Sequence, residues 1–388
     1  MTSQSGSLTA LRRHNRVQVL DMLRRRGTTS RTEIARRTGL STTTVSTLVG
    51  ELMAEGVVVE LDDRTVSRGG GRPARVLAFN PAAGGAVGLH LAHDHVRVGV
   101  TDLAGRIVAE NAFEIDVDHE PGKTLELAAD LTHELVVQAG ISVDGVVGMG
   151  VAVSAPVFAT THALGSHSIL ADWLGVDVAA ELTRRTGLHV EIGNDANLGA
   201  IAEHRFGVAQ DVDDFVYVML SDGVGAGLVL GGRLYEGAIG GAGEIGHVTV
   251  VPGGYVCRCG SRGCLETVAG APALTSAFAL TGEPAATLGG IVAADRAGDD
   301  GTRRVLTDAG AAVGRALVPI CTVLDPALVV VGGECSASET LIAAVQRALA
   351  GGITPLRTGT IPVRAGALGE KAEMLGAVAL ASQRMPMS

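Results

Sequence analysis

The stretch GEIGHVTVVPGGYVCRCGSRGCLE, residues 243–266, places three cysteines within eight residues and a histidine ten residues before the first of them. Cys257, Cys259, Cys264 and His247 have the composition of a closed tetrahedral zinc shell, which leaves no position for a catalytic water. An open catalytic metal site and unrelated core cysteines are the alternatives. The close clustering favours a structural zinc ion, because free core cysteines do not group in this way.

Outward from this stretch, the body of the chain alternates strand and helix patterns. GLHLAHDHVRVGVTDLAGRIVAENAFEI (88–115) predicts three successive strands with a turn at Asp102–Gly105, and helix and strand patterns follow it to about residue 207. A second set begins at DFVYVMLSDGVGAG (214–227), where the Gly-rich hairpin either packs tightly or lets a ligand approach the backbone. Strands followed by helices, repeated once, predict an α/β architecture of two related lobes.

Three motifs together resemble the ROK family of sugar kinases and repressors. They are Gly-Glu-Ile-Gly-His (243–247), Cys-x-Cys-Gly-x-x-Gly-Cys-x-Glu (257–266) and Asn-Asp-Ala-Asn (194–197), and the Gly-rich segment 220–246 is similar to the family's signature stretch. The resemblance covers the whole body and implies an actin/hexokinase-like fold of two lobes around a sugar cleft, in dimers or tetramers. With the N-terminal motif described below, it points to the repressor branch, similar to the xylose and N-acetylglucosamine repressors.

The same resemblance implies a set of sugar-binding residues. Asn194 and Asp195 would hold sugar hydroxyls, with Asp195 at the position of the catalytic base in the kinases. Glu244 and Glu266 would take further hydroxyls, and His247 would touch both the sugar and the zinc ion. Carboxylates and an amide supply the acceptors and donors that a polyol requires. Asp195 could also cap the following helix, which is compatible with sugar binding, and Glu244 could be an exposed loop carboxylate.

Two loops depart from the kinase pattern. Where the kinases have Asp followed by Gly-Gly-Thr-Lys, this chain has, in order, His90, Ala92, His93, Asp94 and His95. The second loop, Leu-Gly-Thr-Gly in the kinases, is here Leu-Ser-Asp-Gly (220–223). Asp94 and Asp222 direct negative charge toward any phosphate, so we predict that phosphoryl transfer is lost. The histidines could instead form a metal site, but strand alternation directs His93 away from His90 and His95.

The N-terminal part of the chain has the spacing of a helix-turn-helix. In SRTEIARRTGLSTTTVSTLVGELMAEG (30–56), counting from Arg31, Ala35 is fifth, Gly39 ninth and Val45 fifteenth. These positions need a small residue at the helix crossing, a residue tolerant of positive φ, and a branched core residue. Ser41 is suited to cap the second helix, which we predict to end near residue 55.

Downstream, VVVEL and ARVLAF flank a loop rich in Arg and Gly and predict a two-stranded wing whose tip enters a minor groove. The predicted DNA contacts are Arg31, Thr42, Thr43, Thr44, Ser46, Arg68 and Arg72. A winged helix that binds protein and a disordered basic loop are the alternatives. Because one such module contacts half of a site, a dimer is expected on DNA.

Charge and length divide the chain in the same way. Residues 1–80 contain 13 Arg, no Lys and 7 Asp or Glu, a net charge of +6, and the rest carries −16. A basic head on an acidic body is typical of a nucleic-acid-binding module joined to another function. We predict three domains: a winged helix-turn-helix (1–80), a first lobe (81–200 plus about 370–388) and a second lobe with the zinc loop (201–369).

The composition also indicates a cellular location. No apolar run approaches the roughly 20 residues that span a bilayer, and the N-terminus lacks the apolar core of a signal peptide. Five cysteines, an odd number, argue against a disulfide framework. We therefore expect a cytoplasmic protein without a membrane partner.

Taken together, these patterns favour a sugar-responsive DNA-binding transcriptional regulator, a repressor, with a catalytically inactive kinase-like sensor domain. Its expected partners are operator DNA, a sugar or sugar phosphate, and further copies of itself in a homodimer or homotetramer. One alternative is an active ATP-dependent sugar kinase that also binds DNA. Another is a regulator with a vestigial cleft whose partner is a second protein.

Overall fold

The N-terminal module is a winged helix-turn-helix. The computed structural model describes residues 3–63, 74–80, 83–158, 164, 170–279, 287–353 and 359–382. The module contains α1 (Ser3–Arg26), β1 (Thr28–Thr29), α2 (Arg31–Thr38), α3 (Thr42–Ala54), β2 (Val58–Asp63) and β3 (Ala74–Phe79). The three strands form an antiparallel sheet in the order β1-β3-β2. The predicted winged helix-turn-helix is thereby confirmed.

The turn between α2 and α3 has the local chemistry that the spacing indicates. Gly39 ends α2 in the left-handed region, with φ of 72°, where a side chain would be strained. Ser41 caps α3, because its Oγ accepts a hydrogen bond from the Thr44 amide at 3.0 Å. Val45 is fully buried in the core of the module. The predicted wing tip, with Arg68 and Arg72, lies outside the described residues.

The first lobe contains a five-stranded mixed sheet. Its elements are β4 (Gly85–Leu91), β5 (His95–Asp102), β6 (Ile107–Glu114), α4 (Pro121–Gln138), β7 (Val146–Val153), α5 (Val178–Thr186), β8 (Val190–Asn194) and α6 (Asp195–Arg205). The strand order is β6-β5-β4-β7-β8: the first three strands are antiparallel, and β7 and β8 add in parallel. The three predicted strands and their turn are confirmed.

The second lobe repeats this topology. Its strands are β9 (Phe215–Leu220), β10 (Val224–Leu230), β11 (Arg233–Leu234), β12 (Leu328–Gly332) and β13 (Val363–Ala365), in the order β11-β10-β9-β12-β13. Its helices are α7 (Glu266–Ala269), α8 (Ala271–Ala279), α9 (Leu288–Ala297), α10 (Asp300–Leu324) and α11 (Glu339–Gly352). Again, an antiparallel hairpin is extended by parallel strands. The prediction of two related α/β lobes is therefore confirmed.

Helix α10 has the length and apolar composition of a membrane span, and half of its most apolar window is buried. Its inward face belongs to the core of the second lobe, where Leu306, Val313 and Leu317 are buried against α11 and the sheet. A core helix meets the same criteria of length and composition. Among the described residues it is the one helix that does so.

Two helices lie between the sheets. Helix α12 (Ala372–Ala381) packs on β4 and β7, and α6 packs on α12, β9 and β10. These contacts are backbone to backbone at several points. A Cβ on Gly150 would collide with the Ala377 carbonyl, and one on Gly376 would collide with the Leu198 carbonyl. Glycine at these positions lets helix and sheet approach more closely than any side chain would allow.

The DNA-binding module shares its core with the first lobe. Leu103, in the turn between β5 and β6, is 4% exposed and belongs to the apolar cluster of the module, with Val19, Leu23 and Ile34. An ion pair joins Arg205 Nη2, at the end of α6, to Asp21 Oδ1 of α1 at 3.7 Å. The head is thus packed directly onto the body.

Candidate ligand cleft and metal centre

The junction of β8 and α6 carries a buried carboxylate with one unpaired oxygen. Asn194 caps α6 by accepting from the Asn197 amide at 3.0 Å, so the cap is Asn194 rather than Asp195. Asp195 Oδ1 accepts from the Ala196 amide at 2.7 Å and from Asn194 Nδ2 at 3.0 Å. Oδ2 is buried and makes no hydrogen bond among the described residues. Burial raises the pKa of Asp195.

Both lobes line the cleft around this carboxylate. The first lobe contributes His90, His93, Ser154, Asn194 and Asp195; the second contributes Ser221, Asp222, Glu244, His247, Arg258 and Glu266. The five residues predicted to bind sugar therefore lie on one cleft, although 72 positions separate the first from the last of them. Four carboxylates and an asparagine give it a surface suited to hydroxyl donors.

Glu244 lies among these carboxylates. Its Oε2 is 3.9 Å from His247 Nε2. Burial raises the pKa of Glu244 to about 7, and the charges of Asp195 and Glu266 reinforce the shift. Glu244 is thus a partly buried cleft residue, not a fully solvated loop carboxylate.

Glu266 is held from two sides. Its Oε1 accepts from Arg258 Nε at 3.0 Å, and its Oε2 accepts from the Val224 amide at 3.4 Å. The contact to Val224 joins the start of α7 to the Gly-rich hairpin between β9 and β10. The carboxylate is therefore fixed in orientation at the edge of the cleft.

Four potential metal ligands converge beside Glu266. The ligand atoms of His247, Cys257, Cys259 and Cys264 all lie within 4.8 Å of one another. Cys259 Sγ is 3.7 Å from Cys264 Sγ, and Cys257 Sγ is 3.6 Å from His247 Nδ1. A tetrahedral ion with bonds of about 2.3 Å to sulfur and about 2.0 Å to nitrogen spans edges of roughly 3.8 and 3.6 Å. The donor set and the spacing thus fit a metal ion of tetrahedral preference.

The orientation of His247 connects this cluster to the cleft. Nδ1 is directed to the cysteines, and Nε2 is directed to Glu244. The residue lies in a short 3₁₀ turn (Ile245–His247). The turn forms because Gly246 packs against the Val224 carbonyl, where a side chain would collide. Burial and the neighbouring thiols raise the pKa of Cys264 to about 12, so metal binding must displace protons.

The two altered loops face each other across the cleft. Burial lowers the pKa of His90 to about 3, so its ring is neutral, and its centroid lies 5.7 Å from that of His95. Asp94 Oδ1 contacts His95 Nδ1 at 2.7 Å. Burial raises the pKa of Asp222, and the charge of Asp94 raises it further, so the two carboxylates act on one another. Within the described residues, the group suited to a metal is the Cys/His cluster and not these histidines.

Sequence reasoning did not foresee a polar chain that joins the lobes. His93 Nδ1 contacts Asp118 Oδ1 at 2.7 Å, and Arg258 Nη1 approaches His93 Nε2 at 3.2 Å. Arg258 stands between two cysteines of the cluster, and its Nε bonds to Glu266. The chain thus links the first altered loop to the cysteine loop. Its only sequence signal was the arginine inside the Cys-x-Cys motif.

The predicted recognition helix presents small polar groups to solvent. Thr42, Thr43 and Ser46 are exposed on α3. Thr44 is half-buried, and its hydroxyl lies 2.8 Å from Ser41 Oγ. Arg31 forms an ion pair with Glu60 of the wing, so part of its guanidinium is engaged within the module. The DNA role of all these residues stays a prediction.

Comparison with known proteins gives a consistent result along the whole chain. Residues 86–384 match the family described as ROK, and residues 12–59 match a winged helix-turn-helix DNA-binding family. The xylose repressor of Bacillus subtilis (strain 168) is 30% identical over 334 residues, which cover 86% of this chain and 85% of the repressor.

Two solved structures resemble this one. A ROK family transcriptional regulator, a homologue of the Escherichia coli MLC protein, has a TM-score of 0.73 at 24% identity, and 96% of each chain is covered. A ROK family glucokinase from Streptomyces griseus, in complex with glucose and AMPPNP, has a TM-score of 0.66 at 30% identity. This match covers 77% of this chain and 100% of the glucokinase.

Proposed function

The chain belongs to the ROK family and carries a winged helix-turn-helix, and we propose that it is a sugar-responsive transcriptional repressor. Residues 1–80 bind operator DNA in this proposal, and the lobes 81–200 plus about 370–388 and 201–369 form the sensor. The proposed sugar-binding residues are Asn194, Asp195, Glu244, His247 and Glu266. The protein works in the cytoplasm as a homodimer or homotetramer, since two heads are needed for two half-sites.

The observation that carries this proposal is the position of α6. Its first residue, Asp195, lies in the cleft, and its last, Arg205, pairs with Asp21 in the DNA-binding head. Eleven helical residues span about 16 Å. A sugar that closes the lobes on Asp195 moves a rigid element whose other end contacts the head. Sugar binds the closed arrangement of the lobes more tightly than the open one and therefore shifts the protein toward it. Because the two arrangements hold the head differently, they differ in affinity for DNA.

A structural zinc ion is part of the proposal. His247, Cys257, Cys259 and Cys264 would hold it, and the bound ion would supply a rigid crosslink of the loop rather than a reaction. Glu266 follows Cys264 by two residues, and His247 reaches both the cluster and Glu244. The loop therefore positions two of the proposed sugar contacts.

The test has two stages. Duplexes selected by the full-length protein from a random library are first used to measure affinity at physiological salt, and glucose, xylose and N-acetylglucosamine are then added. We expect sequence-specific binding that one sugar weakens. Thr43→Ala combined with Ser46→Ala on α3 should weaken specific binding about tenfold or more, whereas Thr322→Ala, exposed on α10, should not. Absence of specific DNA affinity would refute the proposal.

An active sugar kinase that also binds DNA is the second candidate. The buried Oδ2 of Asp195 favours it, since this atom is free to take a proton from a sugar hydroxyl. The carboxylates of Asp94 and Asp222 oppose it, because they repel the phosphates of a nucleotide. Sugar-dependent release of ADP that Asp195→Asn abolishes would establish the kinase, and its absence supports a sensor without turnover.

A further inference from the structure

We propose that the cleft selects an uncharged sugar and discriminates against the same sugar carrying a phosphate. This inference rests on the proposed function and narrows its ligand class. Among the described residues that line the cleft, Asp195, Asp222, Glu244 and Glu266 carry carboxylates, and Arg258 alone carries a basic side chain of Lys or Arg type.

The one arginine is already engaged. Arg258 Nε donates to Glu266 Oε1 at 3.0 Å, and its Nη1 donates to His93 Nε2 at 3.2 Å. His93 is in turn paired with Asp118 at 2.7 Å, so a proton bound to its ring is balanced by that carboxylate. A phosphate would have to compete with carboxylates of the protein for the donors on Arg258 Nε and His93 Nδ1.

Four backbone amides beside the cleft are engaged within the chain. In the Gly-rich hairpin, the Val224 amide donates to Glu266 Oε2 and the Ser221 amide donates to the Gly223 carbonyl. At the start of α6, the amides of Ala196 and Asn197 donate to side-chain oxygens of the two preceding residues. Helix N-termini and Gly-rich turns bind phosphate only through unpaired amides. Here carboxylate and amide oxygens of the chain occupy that role.

One carboxylate oxygen of the cleft has no hydrogen-bond donor. Asp195 Oδ2 is buried without a partner among the described residues, and a sugar hydroxyl donates to such an oxygen. A phosphate offers negative charge and acceptors, which the cleft already has in excess. In a poorly solvated site, this like-charge repulsion opposes binding. A hydroxyl-rich, uncharged ligand therefore supplies the missing donor without adding charge, whereas its phosphate ester brings negative charge into a cleft lined by four carboxylates.

Calorimetry on the full-length protein tests the inference with matched pairs. Glucose, mannose and N-acetylglucosamine are each compared with their 6-phosphates at one salt concentration. We expect one of the unphosphorylated sugars to bind and its phosphate to bind at least about 100-fold more weakly. Equal or tighter binding of a phosphate overturns the inference but leaves the sugar-responsive repressor standing. If no sugar of either kind binds or alters DNA affinity, the inference falls together with the proposal beneath it.

A charge variant gives a second test. Asp222→Asn removes one carboxylate from the cleft, so the ratio of phosphate affinity to sugar affinity should rise about tenfold. Asp130→Asn, exposed on α4, removes the same charge far from the cleft and should leave that ratio unchanged. The ratio of phosphate affinity to sugar affinity could instead be the same in the wild type and in both variants. That result would show that charge in the cleft does not set the preference for the uncharged sugar, and it would overturn the inference.

Discussion

Replacing Asp195 with Asn should make the ligand-free protein more stable and the sensor weaker. Oδ1 of the new amide keeps both bonds that Asp195 Oδ1 accepts, from Ala196 and from Asn194. The change removes a charge from a site that is 3% exposed and where the second oxygen has no partner. The amide nitrogen takes the place of the unpaired oxygen, so an unpaired polar group remains and only the extra cost of the buried charge is removed. An unpaired buried charge costs more than an unpaired neutral group, and we expect this difference to stabilise the protein by about 1 kcal/mol. The apparent Tm should rise by a few degrees.

The effect should depend on pH in a defined direction. Burial raises the pKa of Asp195 above the value of about 3.9 that applies in the unfolded chain. Below about pH 3.9 the carboxyl is protonated in both states, and ionisation costs the folded state nothing. The penalty grows as the pH rises above that value and is complete above the folded pKa. The stability gained by Asp195→Asn should be smaller at pH 5 than at pH 8. Asp130→Asn, exposed on α4, should show no such trend.

Sugar affinity should change in the opposite sense. A hydrogen bond to a charged group contributes about 1.5–3 kcal/mol, so loss of the carboxylate should weaken sugar binding by roughly 10–150-fold. Thermal melting at the two pH values and calorimetry with the preferred sugar measure the two effects. An unchanged or lowered Tm at pH 8 would refute the assignment of a destabilising buried charge. Undiminished sugar affinity would refute the role of Asp195 in the cleft.

Two further predictions concern the head and the metal centre. Leu103→Ala should destabilise the DNA-binding module by about 2–5 kcal/mol and expose its amides to hydrogen exchange. Leu174→Ala, at a position 52% exposed, should do neither. Equal protection of these amides in both variants would contradict the shared core. Cys259→Ser should lower the zinc content from about one ion per chain, measured by elemental analysis, and should also weaken sugar binding. Cys335, buried elsewhere in the second lobe, is the control, and Cys335→Ser should retain the metal. A full zinc content in both variants would exclude Cys259 as a ligand.

Local sequence spacing predicted the features whose determinants lie close together in the chain. Gly39 marks the turn of the helix-turn-helix because one residue must adopt positive φ there, and three cysteines within eight residues suffice to indicate a metal centre. The contact of His93 with Arg258 joins residues 165 positions apart, and no periodicity or propensity reports such a pairing. The sequence therefore indicated the parts of the cleft better than the links between them.

A buried pair between the lobes was missed for the same reason. Tyr217 Oη donates to Glu373 Oε1 at 3.1 Å, and both side chains are buried. Burial raises the pKa of Glu373 to about 7. Glu373 lies in α12, whose other residues are apolar, and a single acidic residue there gives no sign of a partner 156 positions away.

The glycines at the centre of the molecule set limits on how this sensor can diversify. Any side chain at 88, 150 or 376 would collide with a backbone carbonyl of a neighbouring element, which cannot repack as a side chain can. The packing between the lobes therefore leaves almost no room for substitution at these glycines, whereas Asp222 and Arg258 line the cleft with their side chains. Ligand preference can thus change through substitutions in the cleft, while the glycines between the lobes stay the same. The cleft could therefore be redesigned for another sugar without changing the packing between the lobes.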